Sequence, residues 1–480
     1  MKKLIASSLA LLLTLLAACG PAGGAQQVAG GGGGEAPATQ QAAAQPPPAA
    51  EGGASYTLRI LGPGLLSEVT RTGALDILTG TTRPGYEVLL NRWAEVRPDV
   101  ELDIVSIPWD GWRAAITTAA LQGGIDIVTQ GASVTYVAEP LTRFLAATPG
   151  LEDQIAAMGK RRTDSDGYPL STLIPFGMSI TSTPSIVVVD LQIFEDFGHP
   201  VPGLDWTPED MLAAARATTG INPRTGVQNY GLSMFPPGNA NFNYIWTSRL
   251  WNAPVIQWGD TLAETTFDYT VPEAIRSIQF IYDLSQYQSV DFIEGMDRIM
   301  AGTENNYISM VISNSAFSMY NQISTNGLSE RFMYLPLPLI QYGPNAGRTA
   351  SQLGDWNMSI ARNSEQQELA WEFIVFMVTD PVMQQWFVST FNFPNNLAGL
   401  AYLQDAMHDN FWPAIEIAIS DAPFDYQAAT NDHYCGITIA PKIPEMTNTL
   451  MEMFMGNITP EGVAYHIQSV VEDFLRLQLN

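Results

Sequence analysis

The side chains with the clearest chemistry in this sequence are tryptophans and carboxylates, which suit non-covalent binding. The chain has 11 Trp, and several of them stand where predicted strands end. Trp109, for example, falls in the loop after a strand predicted over residues 100–104. A sugar presents an apolar C–H face and a rim of hydroxyls, so it is held by aromatic planes together with hydrogen-bonding groups. A polyhydroxylated small molecule is therefore a candidate ligand.

Motifs with known catalytic mechanisms are not found. The sequence contains no G-x-x-x-x-G-K phosphate loop, no H-E-x-x-H and no G-x-S-x-G. The histidines are scattered and predict no metal site; they are His199, His408, His433 and His466. Acidic residues are abundant, but no pair stands out as the two carboxylates of a glycosidase. We therefore expect no enzymatic activity and no cofactor.

Cys19 has a chemistry of its own, because it ends a short apolar run. Lys2 and Lys3 precede an apolar stretch over residues 4–16, which is too short for a membrane span of about 20 residues. Leu16-Ala17-Ala18-Cys19 resembles the bacterial lipobox, whose cysteine is acylated after cleavage. The alternative is an ordinary signal peptide with a chance cysteine. The sequence predicts an exported protein, lipid-anchored in the periplasm or at the outer face of the cytoplasmic membrane.

Charge and cysteine content limit the partners and the source of stability. Loss of Lys2 and Lys3 with the leader changes the formal charge from −26 to −28, which excludes nucleic-acid binding and disfavours anionic membranes. Cys435 is the only other cysteine, so no internal disulfide forms when Cys19 is acylated. We expect a monomer whose fold depends on its hydrophobic core alone.

The chain after the leader divides into a tether and a folded body. Residues 1–19 are the predicted signal peptide, and residues 20–54 are almost entirely Gly, Ala, Pro and Gln. Such a segment cannot bury enough apolar surface to fold, so it reads as a disordered tether. A flexible chain of this length spans roughly 30–35 Å. The tether would hold the body near a membrane while leaving it free to move.

Hydrophobic periodicity in the body predicts alternating strands and helices. Strands are predicted over residues 56–61, 100–104, 125–128 and 185–190, and helices over 86–96 and 112–121. This order implies right-handed βαβ units and a parallel sheet. Thr207 and Pro208 predict a helix start, as does a capping box of Ser364 with Gln367. The stretch from Gly62 to Gly85 is long for a loop in such a unit.

Several segments, taken in order, carry a resemblance to a known family. Ala120–Val128 matches the pattern A-x-G-x-x-P-D-(I/V), and Gly354–Ser364 resembles G-G-W-x-x-A-I-x-x-x-S. Further matching segments are Asn91–Leu102, Tyr168–Ser171, Ile186–Gly198, Trp206–Leu212, Phe267–Ile275 and Ala370–Met377. Together they are similar to the family 1 extracellular solute-binding proteins, the maltose-binding-protein-like group. Departures from the family pattern occur at Ile125, Asp190 and Asp355.

The resemblance implies an α/β fold of the periplasmic-binding-protein type, with two discontinuous lobes joined by a hinge. We expect one lobe to comprise residues 55–168 plus 307–362, and the other 169–306 plus 363–480. The chain would cross between them near Tyr168, Asn305 and Ser364. The ligand would lie in the cleft at the carboxyl ends of strands, and closure would bury it. The implied partners are a small solute and the permease subunits of an ABC importer.

The resemblance also implies which residues hold the ligand. Trp356 matches the stacking tryptophan of the family, and Asp126 matches an acid near its cleft. The other candidate ligand-binding residues are Trp109, Asp355, Asn241 and Trp246. Alternatives remain open: Trp356 and Trp246 also suit core packing, and Asp126 could cap a turn.

Three interpretations of the whole protein follow. The first is a carbohydrate-binding subunit of an ABC importer. The second is the same scaffold holding another solute, such as a polyol phosphate, a peptide or an amine. The third is a surface sensor that delivers its ligand to a receptor. A phosphate would need clustered basic residues, and only 22 Lys and Arg are present.

Overall fold

The structure is a computed structural model of the 480-residue chain. It describes residues 56–63, 70–75, 82–108, 111–130, 137–155, 177–235, 240–257, 266–289, 300–313, 316–351, 353–390, 392–407, 410–421 and 443–479. Residues 52–480 form one compact unit. The predicted signal peptide, Cys19 and the predicted tether lie outside the described residues. Within the described ranges, no helix combines the length and apolar character needed to cross a bilayer.

The described part of the chain contains strands and helices in alternation. The strands are β1 (Tyr56–Gly62), β2 (Ala74–Leu75), β3 (Thr82–Arg83), β4 (Val100–Ser106), β5 (Ile127–Thr129), β6 (Met178–Pro184), β7 (Ile186–Asp190), β8 (Gly220–Ile221), β9 (Gln228–Asn229), β10 (Ile256–Gln257), β11 (Thr266–Phe267), β12 (Met310–Ser313), β13 (Phe332–Pro336), β14 (Leu353–Ile360) and β15 (Phe393–Pro394). The helices are α1 (Glu87–Val96), α2 (Trp112–Gln122), α3 (Thr142–Ala147), α4 (Leu191–Phe197), α5 (Pro208–Ala217), α6 (Ala240–Leu250), α7 (Pro272–Ser285), α8 (Ala316–Thr325), α9 (Gln367–Thr379), α10 (Pro381–Ser389), α11 (Leu397–Ala406), α12 (Trp412–Asp421), α13 (Ile443–Phe454) and α14 (Pro460–Leu479).

A six-stranded sheet, in the order β15-β6-β14-β5-β1-β4, organises one half of the body. β1 pairs in parallel with β4 and β5, which confirms the parallel βαβ arrangement predicted from the periodicity. β14 runs antiparallel to β5 on one side and to β6 on the other. Because Leu58 and Ile60 alternate with polar residues along β1, they point together into a core.

Helices α1 and α9 cover one face of this sheet. Trp93 on α1 is edge-on to Phe373 and Phe376 on α9, with ring centroids 5.1 and 5.0 Å apart. Edge-to-face aromatic pairs of this kind add about 0.5–1.5 kcal/mol to the stabilisation from buried area. We call the six-stranded sheet with α1, α2, α3, α9 and α10 lobe 1.

A three-stranded antiparallel sheet, in the order β12-β7-β13, organises the other half. The sequence of β7 is a continuous apolar run that ends at Asp190, and all five of its residues are buried. The core on one side of this sheet includes residues of α5, α6, α7 and α14. We call the three-stranded sheet with these helices and α4 lobe 2.

Asp190 ties three parts of lobe 2 together. Its Oδ1 accepts hydrogen bonds from the backbone N–H groups of Gln192 and Ile193, which caps α4. Its Oδ2 accepts from Arg331 Nη2 at 2.6 Å and from Asn306 Nδ2 at 2.8 Å. A fully buried carboxylate with this many donors is well compensated for its loss of water.

The observed sheets divide the chain differently from the predicted lobes, and β6, within the predicted segment 169–306, pairs with β14 in the lobe 1 sheet. Residues 307–362 were expected beside β1, but β12 and β13 within them pair with β7 and so belong to lobe 2. Residues 363–480 were expected in lobe 2, but α9 buries Ala370 and Phe373 in the core of lobe 1. The expected crossings at Asn305 and Ser364 therefore differ from the observed ones as well, and Tyr168 lies outside the described residues.

The two predicted helix starts have different outcomes. Thr207 forms a capping box with Asp210 at the start of α5, as the sequence predicts. No such box forms at α9, whose N-cap is Gln366 without a side-chain hydrogen bond. The Ser364 hydroxyl instead donates to Asp126 Oδ1 at 2.6 Å. The Ser364 oxygen also accepts from the backbone N–H of Gln366 at 2.9 Å, so Ser364 joins the residue before α9 to Asp126.

Substitution of Asp190 by alanine should destabilise the protein by roughly 3–5 kcal/mol, because it leaves the Arg331 guanidinium half-buried without its partner and removes the cap of α4. Chemical denaturation measures the change in the free energy of unfolding. Arg476→Ala is the control, since its ion pair with Asp473 is exposed on both sides and should contribute less than about 1 kcal/mol. Equal effects of the two substitutions would contradict the role given to Asp190.

Candidate functional site

The carboxyl ends of β1, β4 and β5 meet at one edge of the lobe 1 sheet, because the three strands are parallel. Gly62 ends β1 so close to β5 that an added Cβ would lie 2.0 Å from Thr129 Oγ1. The Thr129 hydroxyl donates to the Pro63 carbonyl at 2.6 Å and fixes the start of the next loop. Open parallel sheets bind ligands at this edge.

Gln130, the first residue after β5, has a strained backbone. Its φ is 57°, in the left-handed region that non-glycine residues rarely adopt. Its N–H donates to the Asn357 carbonyl at 2.8 Å, and Asn357 Nδ2 donates to Gln130 Oε1 at 3.2 Å. Both side chains are buried. Strain of about 1–3 kcal/mol persists only where neighbouring contacts enforce it, and such positions cluster at functional sites.

Trp356 lies beside this amide pair on β14. The register of β14 against β6 shifts between Trp356 and Asn357, which forms a β-bulge. Bulges re-aim side chains next to binding sites. Trp356 is half-buried, packs on the lobe 1 core and stands opposite Thr181. An indole held in this way is a rigid platform at the sheet edge.

The corresponding edge of lobe 2 is where β12 and β13 end. Ser313 and Pro336 are both opposite Ile186, the first residue of β7. The fully buried Asn243 carboxamide pairs with the backbone of Phe235, accepting from its N–H at 3.2 Å and donating to its carbonyl at 3.1 Å. This pairing fixes the start of α6, whose second residue is Asn241. The side chain of Asn241 is outside the described part of the structure.

Trp246, predicted from the sequence to bind ligand, lies in the core of lobe 2. Trp246 is 0% exposed and is edge-on to Phe280, with ring centroids 6.1 Å apart. Tyr244 and Trp251 are buried in the same core, and burial raises the pKa of the Tyr244 hydroxyl well above its usual value. The alternative weighed for this segment, a helix that packs its aromatic residues inward, is the one observed.

Asp126, also predicted to bind ligand, has hydrogen-bond partners within the protein. Its Oδ2 accepts from the Arg59 backbone N–H at 2.9 Å, and its Oδ1 accepts from the Ser364 hydroxyl. It precedes β5, whereas Gln130 follows it, so the two lie about 13 Å apart at the rise of a strand. Both carboxylate oxygens of Asp126 therefore accept hydrogen bonds from the protein, at the edge of the sheet opposite the one where Trp356 lies.

Two further predicted residues are placed only in part. Trp109 lies outside the described residues, so its role stays a prediction. Asp355 lies on β14, and its backbone pairs with Ser182 of β6 immediately before Trp356. The Asp355 side chain is not among those described. Of the six predicted binding residues, Trp356 and the Asp355 backbone are thus placed at the lobe 1 edge, and Asn241 is the second residue of α6.

Gln130 and Asn357 were missed by the sequence analysis. They are 227 positions apart, and only the pairing of β5 with β14 brings their amides together. The one local signal is the polar residue Gln130 directly after the apolar run of β5.

A separate surface groove of about 570 Å³ lies at the opposite end of the lobe 1 sheet. It is lined by residues that include Tyr56, Arg97, Arg143 and Glu372. Arg97 pairs with Asp99 and Glu372, and its hydrogen bonds lower the pKa of the Asp99 carboxyl. Because its arginines are already paired with carboxylates, this groove is not the candidate site.

Comparison with known proteins decides the family. The model of the bacterial extracellular solute-binding proteins matches residues 79–384, well over half of the chain. The chain belongs to this family. The likeness predicted from sequence segments is therefore confirmed, and an extracytoplasmic location follows from the family. No curated protein sequence matches the chain significantly.

Solved structures of solute-binding proteins have the same fold. An ABC transporter solute-binding protein from Thermotoga lettingae, bound with α-D-tagatose, has a TM-score of 0.62 and 18% identity over 88% of this chain and 100% of its own. One from Agrobacterium vitis with bound D-mannitol has a TM-score of 0.61 and 16% identity over 88% and 99%. Maltose-bound MalE3 from T. maritima has a TM-score of 0.60 and 14% identity over 87% and 99%. The predicted periplasmic-binding-protein fold is confirmed.

The left-handed backbone at Gln130 predicts that glycine is tolerated there better than alanine, which is the reverse of the usual order in a helix. Gln130→Gly should be more stable than Gln130→Ala by about 1–2 kcal/mol, because alanine opposes the left-handed backbone and glycine does not. Both variants lose the same amide, so the difference isolates the backbone. The exposed Leu121 on α2 is the control, where alanine should be more stable than glycine by about 1 kcal/mol. Chemical denaturation of the four variants measures this, and the same order at both positions would contradict it.

Proposed function

We propose that this solute-binding protein captures a neutral sugar or polyol outside the cytoplasm and delivers it to the permease of an ABC importer. The observation that carries the proposal is the half-buried Trp356 beside the Gln130–Asn357 amide pair. The indole supplies a plane for an apolar C–H face, and amides at this edge supply hydrogen bonds to hydroxyls. Binding and delivery need no catalytic residues, so the proposed function includes no enzymatic step.

The charge at the lobe 1 edge favours a neutral ligand. The strands reach this edge at residues 62–63, 106–108, 129–130 and 353–357. None of these described residues is a lysine or an arginine. A polyol phosphate would need such cations, since a buried phosphate is costly without them. The ligands named for the similar structures, tagatose, mannitol and maltose, are neutral and polyhydroxylated, which supports the same class here.

Capture would proceed by closure of lobe 2 onto lobe 1 about the crossings between their sheets. Closure expels water from the cleft, and the hydrogen bonds to hydroxyls gain strength in the drier site. The permease would recognise the closed form.

A thermal-shift screen tests the ligand class. Monosaccharides, oligosaccharides and polyols are compared with polyol phosphates, peptides and amines. A ligand at a hundred times its Kd should stabilise the protein by about 2.7 kcal/mol. With the ligand found, small-angle scattering should show a smaller radius of gyration. Stabilisation only by phosphates, peptides or amines would refute the sugar proposal and leave the solute-binding family intact.

Trp356→Ala should weaken binding of a sugar found in that screen by about 2 kcal/mol or more, because it removes a large aromatic contact from a closed cleft. Its melting temperature should fall less than that of Trp246→Ala, where truncation of a fully buried indole costs roughly 3–5 kcal/mol. Titration calorimetry and thermal unfolding of both variants give the comparison. A large loss of stability at Trp356 with unchanged affinity would assign this residue to the core.

The proposed lipid anchor rests on Cys19 and the apolar run before it. Cys19→Ser should release the processed protein from the membrane fraction, because serine cannot carry the thioether-linked lipid that would anchor it. Mass spectrometry of the membrane-extracted wild-type protein should find an acylated N-terminal Cys19. Cys435→Ser is the matched control and should stay with the membrane. An intact Met1 in the mature protein would show that the leader is not processed.

A further inference from the structure

The long stretch between β1 and α1 contains the small β2–β3 hairpin. Ala74 is paired with Arg83 and Leu75 with Thr82, in antiparallel register. Ala74, Leu75 and Thr82 are all exposed to solvent. A two-stranded hairpin is only marginally stable by itself. Its position must therefore be held by contacts at its base, where the chain enters and leaves it.

Backbone hydrogen bonds attach the entry to the hairpin to the first turn of α1. The Tyr86 N–H donates to the Thr70 carbonyl at 3.2 Å, and the Glu87 N–H donates to the Arg71 carbonyl at 2.9 Å. The first N–H groups of an α-helix have no partner within the helix, and these carbonyls supply one. The chain that enters the hairpin is thus fixed to the chain that leaves it.

Two glycines let the two sides of the base approach each other closely. A Cβ added to Gly85 would lie 2.1 Å from the Arg71 carbonyl oxygen, and a Cβ added to Gly73 would lie 2.3 Å from the Arg83 carbonyl oxygen. Gly73 also has a φ of 97°, which residues with a side chain rarely adopt. Because the backbones are in direct contact, the base holds the hairpin in one orientation.

This base lies at the same edge of the lobe 1 sheet as the candidate site. The Tyr56 N–H donates to the Asp99 carbonyl at 3.1 Å, so the C-terminal end of α1 lies near the start of β1. α1 has 10 residues and runs back along the sheet for about 15 Å. Its first turn, with the base of the hairpin, is therefore near Gly62 at the end of β1.

The base also lies on the same face of the sheet as Trp356. Tyr86 and Trp356 are both partly buried against the one core that contains Trp386. The Trp386 indole N–H donates to the Pro84 carbonyl at 3.4 Å, so this core holds the base directly. Only β5 lies between β1 and β14, which separates Gly62 from Trp356 by two strand spacings, or about 10 Å.

The opposite side of Trp356 is bounded by the chain that leads to lobe 2. β14 pairs with β6 there, and β6 continues through Ser185 into β7. A ligand stacked on Trp356 is therefore expected to extend along the lobe 1 edge toward β5 and β1. The hairpin stands at the end of that path.

We propose that the β2–β3 hairpin is a fixed end wall of the ligand site, which limits the bound sugar to a mono- or disaccharide. This inference rests on the proposed function, because it concerns a sugar stacked on Trp356. A ring beyond the wall must displace a base held by close glycine contacts, or the sugar must give up its place on the indole. The wall selects by length and needs no contact specific to one sugar.

Affinity as a function of sugar length tests the wall. The probes are maltodextrins, cello-oligosaccharides, manno-oligosaccharides and xylo-oligosaccharides, each with its monosaccharide. In titration calorimetry the Kd should rise by about tenfold or more at or before the third ring, because that ring meets the hairpin. Replacement of residues 74–83 by one glycine should reduce this rise to about threefold or less, since it removes the obstacle and leaves the base in place.

Two tryptophan substitutions test the wall in the opposite direction. Leu75→Trp and Ala74→Trp add bulk on the two sides of the hairpin, because successive side chains of a strand point to opposite faces. One of them should weaken binding of the longest accepted sugar by about fivefold or more and affect its monosaccharide less. Exposed substitutions change stability little, so these variants test the wall even if the shortened hairpin does not fold.

Ile221→Trp is the matched control for these substitutions. Ile221 is 62% exposed against 64% for Leu75, and it also lies in a two-residue strand of a hairpin. That hairpin is attached to α4 through the ion pair of Arg224 with Asp196. Ile221→Trp should leave the Kd unchanged for every sugar length.

Hydrogen exchange in the ligand-free protein tests whether the wall is fixed. The Glu87 N–H should exchange about tenfold or more slowly than the Glu273 N–H, because Arg71 accepts from Glu87 throughout. Glu273 lies in the first turn of α7, and its N–H has no acceptor among the described residues. Fast exchange at Glu87 would show a mobile hairpin and overturn the wall without any ligand.

The remaining outcomes separate the wall from the proposed function. A length limit that the shortened hairpin removes, or that Leu75→Trp or Ala74→Trp tightens, supports the wall. The wall is overturned if the wild-type Kd does not depend on length, if the shortened hairpin admits no longer sugar, or if Ile221→Trp has the same effect. The proposed function fails only if no monosaccharide, oligosaccharide or polyol binds, and the wall then fails with it.

Discussion

The pairing of β14 with β5 on one side and β6 on the other holds together the candidate site and the crossings between the lobes. Through β5, it brings Asn357 to Gln130 and fixes a strained backbone at the sheet edge. Through β6, it sets the bulge that aims Trp356. The same strand therefore positions the proposed ligand platform and pairs with β6, which continues through Ser185 into β7 of lobe 2.

Several polar side chains in this protein are buried because they hydrogen-bond separate segments of the chain to each other, and not only because they could contact a ligand. Asp190 joins α4 to β13, Asp126 joins β1 to the segment before α9, and Asn395 joins the end of β15 to β6. Each is compensated by several donors, which removes most of the cost of burial. These residues would look like binding residues to any search for buried carboxylates and amides, and their full complement of partners is what distinguishes them.

The sequence predicts local structure and family far better than it predicts long-range partners. The alternation in β1, β4 and β5 predicts parallel strands, and the Thr207–Asp210 capping box predicts the start of α5. The sequence analysis placed residues 307–362 with β1, whereas β12 and β13 pair with β7, because continuous apolar strands are compatible with either sheet. The sequence does not distinguish the two roles of Trp246 for the same reason, since an aromatic helix face packs equally well on a core or a ligand. Only tertiary pairing reveals the left-handed Gln130.

The long separation along the chain between the members of the lobe 1 sheet affects how the protein is made. β6 pairs with β14 and β15, so its neighbours emerge from the ribosome some 175 to 210 residues after it. Sheets closed by such distant pairs form late and slowly, because chain entropy must be lost before they gain contacts. For a precursor that leaves the cytoplasm as an extended polypeptide, delayed folding is useful. Under the proposed export, the chain would stay in a form that a secretion channel accepts until its last strands have been synthesised.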